Sequence, residues 1–157
     1  MRLEYFQLID RIVDLSLADR KICSEATVPT ASTIFEGHFP GYPLMPGVLL
    51  IEAMAQTSGW LVIAANRFER VPFLASVKEA KLRTFVTPGE VLSVEAQLMH
   101  EGSGYAVTKA KIVAKGKPVC DATLTLRVMD FPNAEMETEM RKLASRIGLA
   151  LEAPVNG

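Results

Sequence analysis

From Gly47 to Ala65 nearly every side chain is apolar, which approaches the roughly 20 residues that cross a bilayer. Glu52 and Gln56 interrupt that run four residues apart, so on a helix they share one face, a turn from each other. The segment therefore reads as a buried helix with a polar notch rather than a membrane span. After Pro72 the pattern changes to strands over Phe73–Val86, Val91–His100, Tyr105–Ala114 and Val119–Met129, separated by Pro88-Gly89-Glu90, Glu101-Gly102-Ser103-Gly104 and Lys115-Gly116-Lys117-Pro118. Such short turns join antiparallel neighbours. Upstream, Arg11–Leu17 and Lys21–Val28 flank Ala18-Asp19-Arg20 as a first hairpin, and residues 3–9 suit a short helix.

A sheet of five or six strands with one strongly apolar helix must bury one face against that helix, which predicts an α+β fold in which the sheet wraps the helix. Alternation agrees: Leu92, Val94 and Ala96 point one way, Val91, Ser93 and Glu95 the other. Past Pro132, apolar Met136, Met140, Leu143, Ile147 and Leu151 recur in steps of four and three, an amphipathic helix over Ala134–Glu152. Its polar side mixes Glu135, Glu137 and Glu139 with Arg141, Lys142 and Arg146, so it is expected to pack outside the sheet or on a partner subunit, not on a membrane. The expected division is one domain over 1–132 and an appended helix and tail over 133–157.

With 157 residues, 49% hydrophobic and 22% charged, the chain can bury a sizeable single core. A net charge of -1 offers nucleic acid no global attraction. Two cysteines, Cys23 and Cys120, have neither zinc-site spacing nor histidine company and read as free thiols of a reducing compartment. No secretory core follows the N-terminus, so a cytoplasmic location is the default expectation. No metal-ligand cluster or phosphate-binding glycine loop is visible.

The chemistry concentrates in Gly37-His38-Phe39-Pro40-Gly41-Tyr42-Pro43-Leu44-Met45-Pro46-Gly47 and the helix behind it. His38 is one of two histidines, and Glu52 is the only charged residue between Glu36 and Arg67. Three prolines fix φ and deny helix before Gly47, so His38 to Met45 is expected to be a rigid, extended loop holding an imidazole. Gly47 lacks a Cβ, which lets a carbonyl approach the unpaired N–H groups of the helix's first turn. Glu52 lies about 7.5 Å further along the axis. A carboxyl in such apolar surroundings is suited to carry a proton. Base, oxyanion site and acid together suit removal of a Cα proton beside a thioester with loss of the neighbouring hydroxyl.

The string Gly37–Leu49 followed by Glu52-Ala53-Met54-Ala55-Gln56 resembles the signature of the FabZ-type 3-hydroxyacyl-acyl-carrier-protein dehydratases. The similarity continues through Lys78–Gly89 and covers roughly residues 5–130. It implies a hot-dog fold, catalytic His38 and Glu52, and no cofactor beyond the phosphopantetheine arm of acyl carrier protein. It also implies a homodimer whose active sites pair the histidine of one subunit with the carboxylate of the other, assembled as a trimer of dimers. Glutamate at 52 favours this family over the related dehydratase/isomerase, so no isomerase activity is expected. Glu4-Tyr5-Phe6-Gln7-Leu8-Ile9-Asp10 and Gly104–Lys111 are similar to a branch serving very long hydroxyacyl chains of lipid A.

Lys78, Lys81 and Arg83 taken alone are a solvated strand edge, but an acidic carrier protein makes them a candidate docking patch. Met45, Met54, Trp60 and Leu61 read as ordinary core. Two rival functions remain at this point. A hot-dog thioesterase would not require the loop histidine, and a non-catalytic acyl- or carrier-binding subunit would require neither His38 nor Glu52.

Overall fold

The computed structural model of the chain describes residues 1–149. Its strands β1 (Arg11–Ser16), β2 (Lys21–Thr27), β3 (Val71–Leu82), β4 (Val91–Gly102), β5 (Tyr105–Ala114) and β6 (Lys117–Met129) form one sheet in the order β1-β2-β4-β5-β6-β3, antiparallel throughout. The helices are α1 (Thr33–Gly37), α2 (Gly47–Ala65) and α3 (Ala134–Arg146). The sheet wraps α2, which packs across β2, β3, β4, β5 and β6, as expected of the hot-dog fold. Between β2 and β4 the chain makes α1, the loop, α2 and β3, so β3 lands on the far edge of the sheet.

Alternation along the strands decides which face meets α2. Leu92, Val94, Ala96 and Leu98 of β4 are buried, as are Ala106, Thr108, Ala110, Ile112 and Ala114 of β5. Ala96 pairs with Ala110 and Ala110 with Ala122, a row of the smallest side chains across three strands. Small residues there let the sheet close tightly around the helix. α2 itself buries Leu50, Ala53, Met54, Leu61, Val62 and Ile63, and burial of most of its residues within the fold accounts for its apolar run. Its two innermost hydroxyls are satisfied by the sheet: Thr57 Oγ1 lies 2.7 Å from Ser24 Oγ on β2, and Ser58 Oγ accepts from Thr108 Oγ1 of β5 at 2.8 Å.

Four expectations change. The helix expected over 3–9 is a single 3-10 turn, Leu3–Tyr5, ended by Phe6 at φ 53°. β3 begins at Val71 and ends at Leu82 instead of running from Phe73 to Val86. Pro72 is tolerated inside it because β3 is an edge strand, where a missing donor need cost no ladder bond. Helix α3 stops at Arg146, ahead of Gly148 at φ 81°, and Leu151 and Glu152 of the expected span lie outside the described residues. α3 also does not lie on the outer sheet face. It buries Ala144, with Ile147 and Leu149 just beyond it, into the same core cluster as α2, because its apolar stripe covers a flank of that helix the sheet leaves open.

Candidate active site

His38 sits where α1 ends. Ser32 Oγ caps this helix by accepting from Ile34 N at 3.1 Å, and His38 N closes it on Ile34 O at 3.0 Å. Glu4 holds the helix start: its Oε1 accepts from Ser32 Oγ at 2.7 Å, Thr33 N at 3.0 Å and Thr33 Oγ1 at 3.1 Å. These bonds, that from Ser32 first, lower the Glu4 pKa to about 2.

The loop after His38 is not extended as expected. It folds back, with reciprocal Phe39–Tyr42 bonds of 3.0 and 2.9 Å around Gly41 at φ 74°, and Leu44 N donates to His38 O at 2.9 Å. The prolines fix φ but leave enough freedom for one glycine to turn the chain. The outcome for the imidazole is the same rigidity. His38 Nδ1 lies 2.9 Å from Leu44 O, a group that only accepts, so Nδ1 carries the hydrogen and Nε2 of the neutral ring presents a lone pair. The ring is half-buried, stacked on the exposed Phe39 at 4.1 Å.

Pro46 precedes α2 and supplies no side-chain cap. The first amides that bond back are Leu49 N and Leu50 N, both to Pro46 O, at 3.0 and 3.2 Å. Gly47 and Val48 thus begin the helix with N–H groups for which no backbone acceptor is found among the described residues. A Cβ built on Gly47 would collide with Leu82 Cδ1, so the space above this glycine is filled by the end of β3. Leu82 is half-exposed at the terminus of an edge strand, and its side chain can swing aside.

Glu52 lies on α2, half-buried, and its Oε1 accepts from Gln56 Nε2 at 3.2 Å. Gln56 also donates to Phe6 O at 2.7 Å and accepts from Leu8 N at 3.2 Å, pinning the N-terminal segment to the helix. The carboxyl of Glu52 thus has a structural partner on its own helix. It engages one oxygen, and no hydrogen bond to Oε2 is found among the described residues. Glu52 opens onto a cavity of about 320 Å³, mostly apolar, with Trp60, Ile63, Phe73 and Leu126 in its walls. Trp60, expected as plain core, is both core and cavity wall; Met45, Met54 and Leu61 are core.

His38 does not line that cavity. Within one chain the imidazole of His38 and the carboxyl of Glu52 therefore do not meet in that cavity. A larger groove of about 700 Å³ on the outer sheet face contains neither His38 nor Glu52, and two of its charged side chains, Lys111 and Glu95, pair at 3.1 Å.

The docking candidates sit at the end of β3. Lys78 and Lys81 flank a bulge, and Arg83 follows Leu82. Arg83 Nε is 2.7 Å from Asp121 Oδ2, a bond that raises the guanidinium's already high pKa and ties up part of the patch. Sequence reasoning did not find the wall that α3 supplies beside Glu52, where Met140, Leu143 and Ile147 point into the cavity. Their helical spacing was the available signal, but it does not say what the stripe covers. Of the thiols, Cys120 is buried, and desolvation with the Asp121 charge beside it pushes its pKa to about 11. Among the described residues no group of His, Cys, Asp and Glu side chains is placed to hold a metal ion.

Comparison with known proteins shows the family to which the chain belongs. Residues 2–123 match the FabA-like domain family. The chain is 37% identical over 121 residues to the 3-hydroxyacyl-[acyl-carrier-protein] dehydratase FabZ of Syntrophotalea carbinolica, covering 76% of this chain and 82% of that one. It is 42% identical over 130 residues to the bifunctional enzyme LpxC/FabZ of Chlorobaculum tepidum, covering 82% of this chain but only 28% of that longer protein. Among solved structures, the dehydratase heterocomplex ApeI:P of Xenorhabdus doucetiae has the same fold, with a TM-score of 0.62 at 20% identity over 88% of this chain and 89% of that one. The chain belongs to the FabA-like family and, within it, to the FabZ-type 3-hydroxyacyl-[acyl-carrier-protein] dehydratases.

Proposed function

We propose that His38 and Glu52 carry out the dehydration of 3-hydroxyacyl-acyl-carrier-protein in fatty acid biosynthesis, with Gly47 at the thioester carbonyl. His38 Nε2 takes a proton from Cα. The electron pair moves toward the thioester, and negative charge builds on its oxygen against the free N–H groups of Gly47 and Val48. Glu52 donates a proton to the hydroxyl on Cβ, the C–O bond breaks, and water leaves as the trans-2 double bond forms. His38 then holds one proton more and Glu52 one fewer, and exchange with solvent resets both. The observation that carries this reading is the fixed tautomer of His38, whose Leu44 contact leaves Nε2 as a base. A thioesterase would have no use for it.

Because His38 is absent from the Glu52 cavity, the reading includes a second copy of the chain, the histidine of each subunit serving the carboxylate of the other. β3 supports this. It is a 12-residue edge strand with Phe73, Leu74 and Val77 partly exposed, a template for antiparallel pairing with its own copy. Trimerisation of such dimers belongs to the same proposal. So does delivery of the acyl chain on a phosphopantetheine arm, with no other cofactor, by a carrier protein docking at Lys78, Lys81 and Arg83. The contact of Leu82 with Gly47 supports that docking point, since it brings these cations beside the helix N-terminus. We assign residues 1–132 to the dehydratase domain, residues 133–157 to an addition, and the protein to the cytoplasm. The lipid A branch is proposed on the N-terminal and β5 strings alone.

The test is turnover of 3-hydroxyacyl-acyl-carrier-protein of graded chain length, with mass detection of enoyl product and free acid. Enoyl product should form with wild type and vanish in His38→Ala and Glu52→Gln, and mixing the two variants should restore part of it through hybrid dimers. Free acid surviving in His38→Ala would instead establish a thioesterase.

A further inference from the structure

Helix α3 lies beyond the region matched to the FabA-like family, which ends at residue 123. It is nevertheless built firmly into the fold. Asn133 Oδ1 caps it by accepting from Met136 N at 2.8 Å, and Arg141 lays its guanidinium 4.5 Å over the Phe68 ring, itself parallel to Phe131. Ile147 O accepts from Ile12 N at 2.8 Å, tying the end of the helix to β1. Ala144, Ile147 and Leu149 are each no more than 5% exposed.

So anchored, α3 turns Met140, Leu143 and Ile147 into the cavity that contains Glu52. On α2 that cavity extends from Glu52 to Ile63, about 16 Å along the helix axis. Its one carboxyl, with Gln7 and Gln56 as the other polar side chains of a mostly apolar space, is the arrangement that places a reacting polar group at the head of an alkyl chain. We propose that α3 is the specificity element of this dehydratase: Met140, Leu143 and Ile147 set the length and bulk of the acyl chain accepted beside Glu52. The inference rests on the dehydratase reading, and it assigns to the appended helix a part in substrate selection. An unbranched Met wall also suits alkyl chains, because three rotatable bonds let it adapt to them.

The experiment compares wild type with the double variant Met140→Ala/Leu143→Ala, which enlarges the cavity, and with Met140→Phe, which fills it. The readout is the ratio of kcat/KM for longer over shorter 3-hydroxyacyl-acyl-carrier-protein substrates. We expect the ratio to rise about tenfold or more in the double variant and to fall in Met140→Phe, the scale set by a methylene or two in an apolar pocket. Met140→Phe keeps the test decisive if the double variant does not fold. An unchanged ratio in a wild-type enzyme that does dehydrate overturns the inference and leaves the proposed reaction intact. Absence of enoyl product from wild type at every length overturns the reaction. In that case fluorescence of Trp60, the single tryptophan and a wall of the cavity, decides the role of α3 during titration with acyl-pantetheine thioesters of the same lengths. A length limit that moves with the variants upholds it, and one that stays put overturns it.

Discussion

Replacing Gln56 with methionine keeps the length of the side chain and removes three hydrogen bonds at once. Leu8 is fully buried, so its N–H, now bonded to Gln56 Oε1, would lose its partner without reaching water, at a cost of about 1–3 kcal/mol. Phe6 O is at the surface and would turn to solvent, a loss of about 1 kcal/mol. Together these predict a destabilisation of about 2–4 kcal/mol, which for a chain of this size lowers Tm by roughly 5–15 °C. The third bond, to Glu52 Oε1, holds the carboxyl in its orientation toward the cavity. Letting it rotate should lower kcat by about 10- to 100-fold with KM little changed, since misplacement of the order of an ångström has that effect. Thermal unfolding followed by circular dichroism measures the first effect, and steady-state kinetics well below the new Tm the second. A Tm within a degree of wild type would refute the clamp. Lost stability with unchanged kcat would show that Gln56 pins the N-terminal segment and does not position Glu52.

Two further outcomes follow from buried or depressed polar groups. Glu4 has its pKa lowered to about 2, so the stability it contributes is present above the ordinary carboxylate value and is lost as pH falls from about 4.5 to 2. Glu4→Gln should therefore melt below wild type at pH 6 and converge with it near pH 2, and a gap constant across that range would contradict the Ser32 and Thr33 contacts as its source. Thr57→Val leaves Ser24 Oγ buried without its 2.7 Å partner and should cost about 1–3 kcal/mol in urea unfolding. Adding Ser24→Ala should recover part of that loss, and strict additivity of the two changes would show that the pair does not interact.

Much of this molecule is legible in its sequence because the deciding signals are local. The apolar run of α2, the period-two alternation of β4 to β6 and the glycine-rich turns between them are all short-range, and the fold agrees with each. The motif from Gly37 to Gln56 fixes side-chain types and spacing, which is why His38 and Glu52 could be singled out before any contact was known. What the tertiary structure decided are pairings between distant segments. The proton on His38 Nδ1 depends on where Leu44 O comes to lie once the loop folds back. Gln56 could be seen beside Glu52, but not its grip on Phe6 and Leu8, about fifty residues away. A stripe of Met140, Leu143 and Ile147 announces that α3 buries one face, while periodicity is silent on what lies beneath it. That the stripe meets the Glu52 cavity follows from the sheet leaving one flank of α2 uncovered, a property of strand order and curvature that no stretch of sequence states.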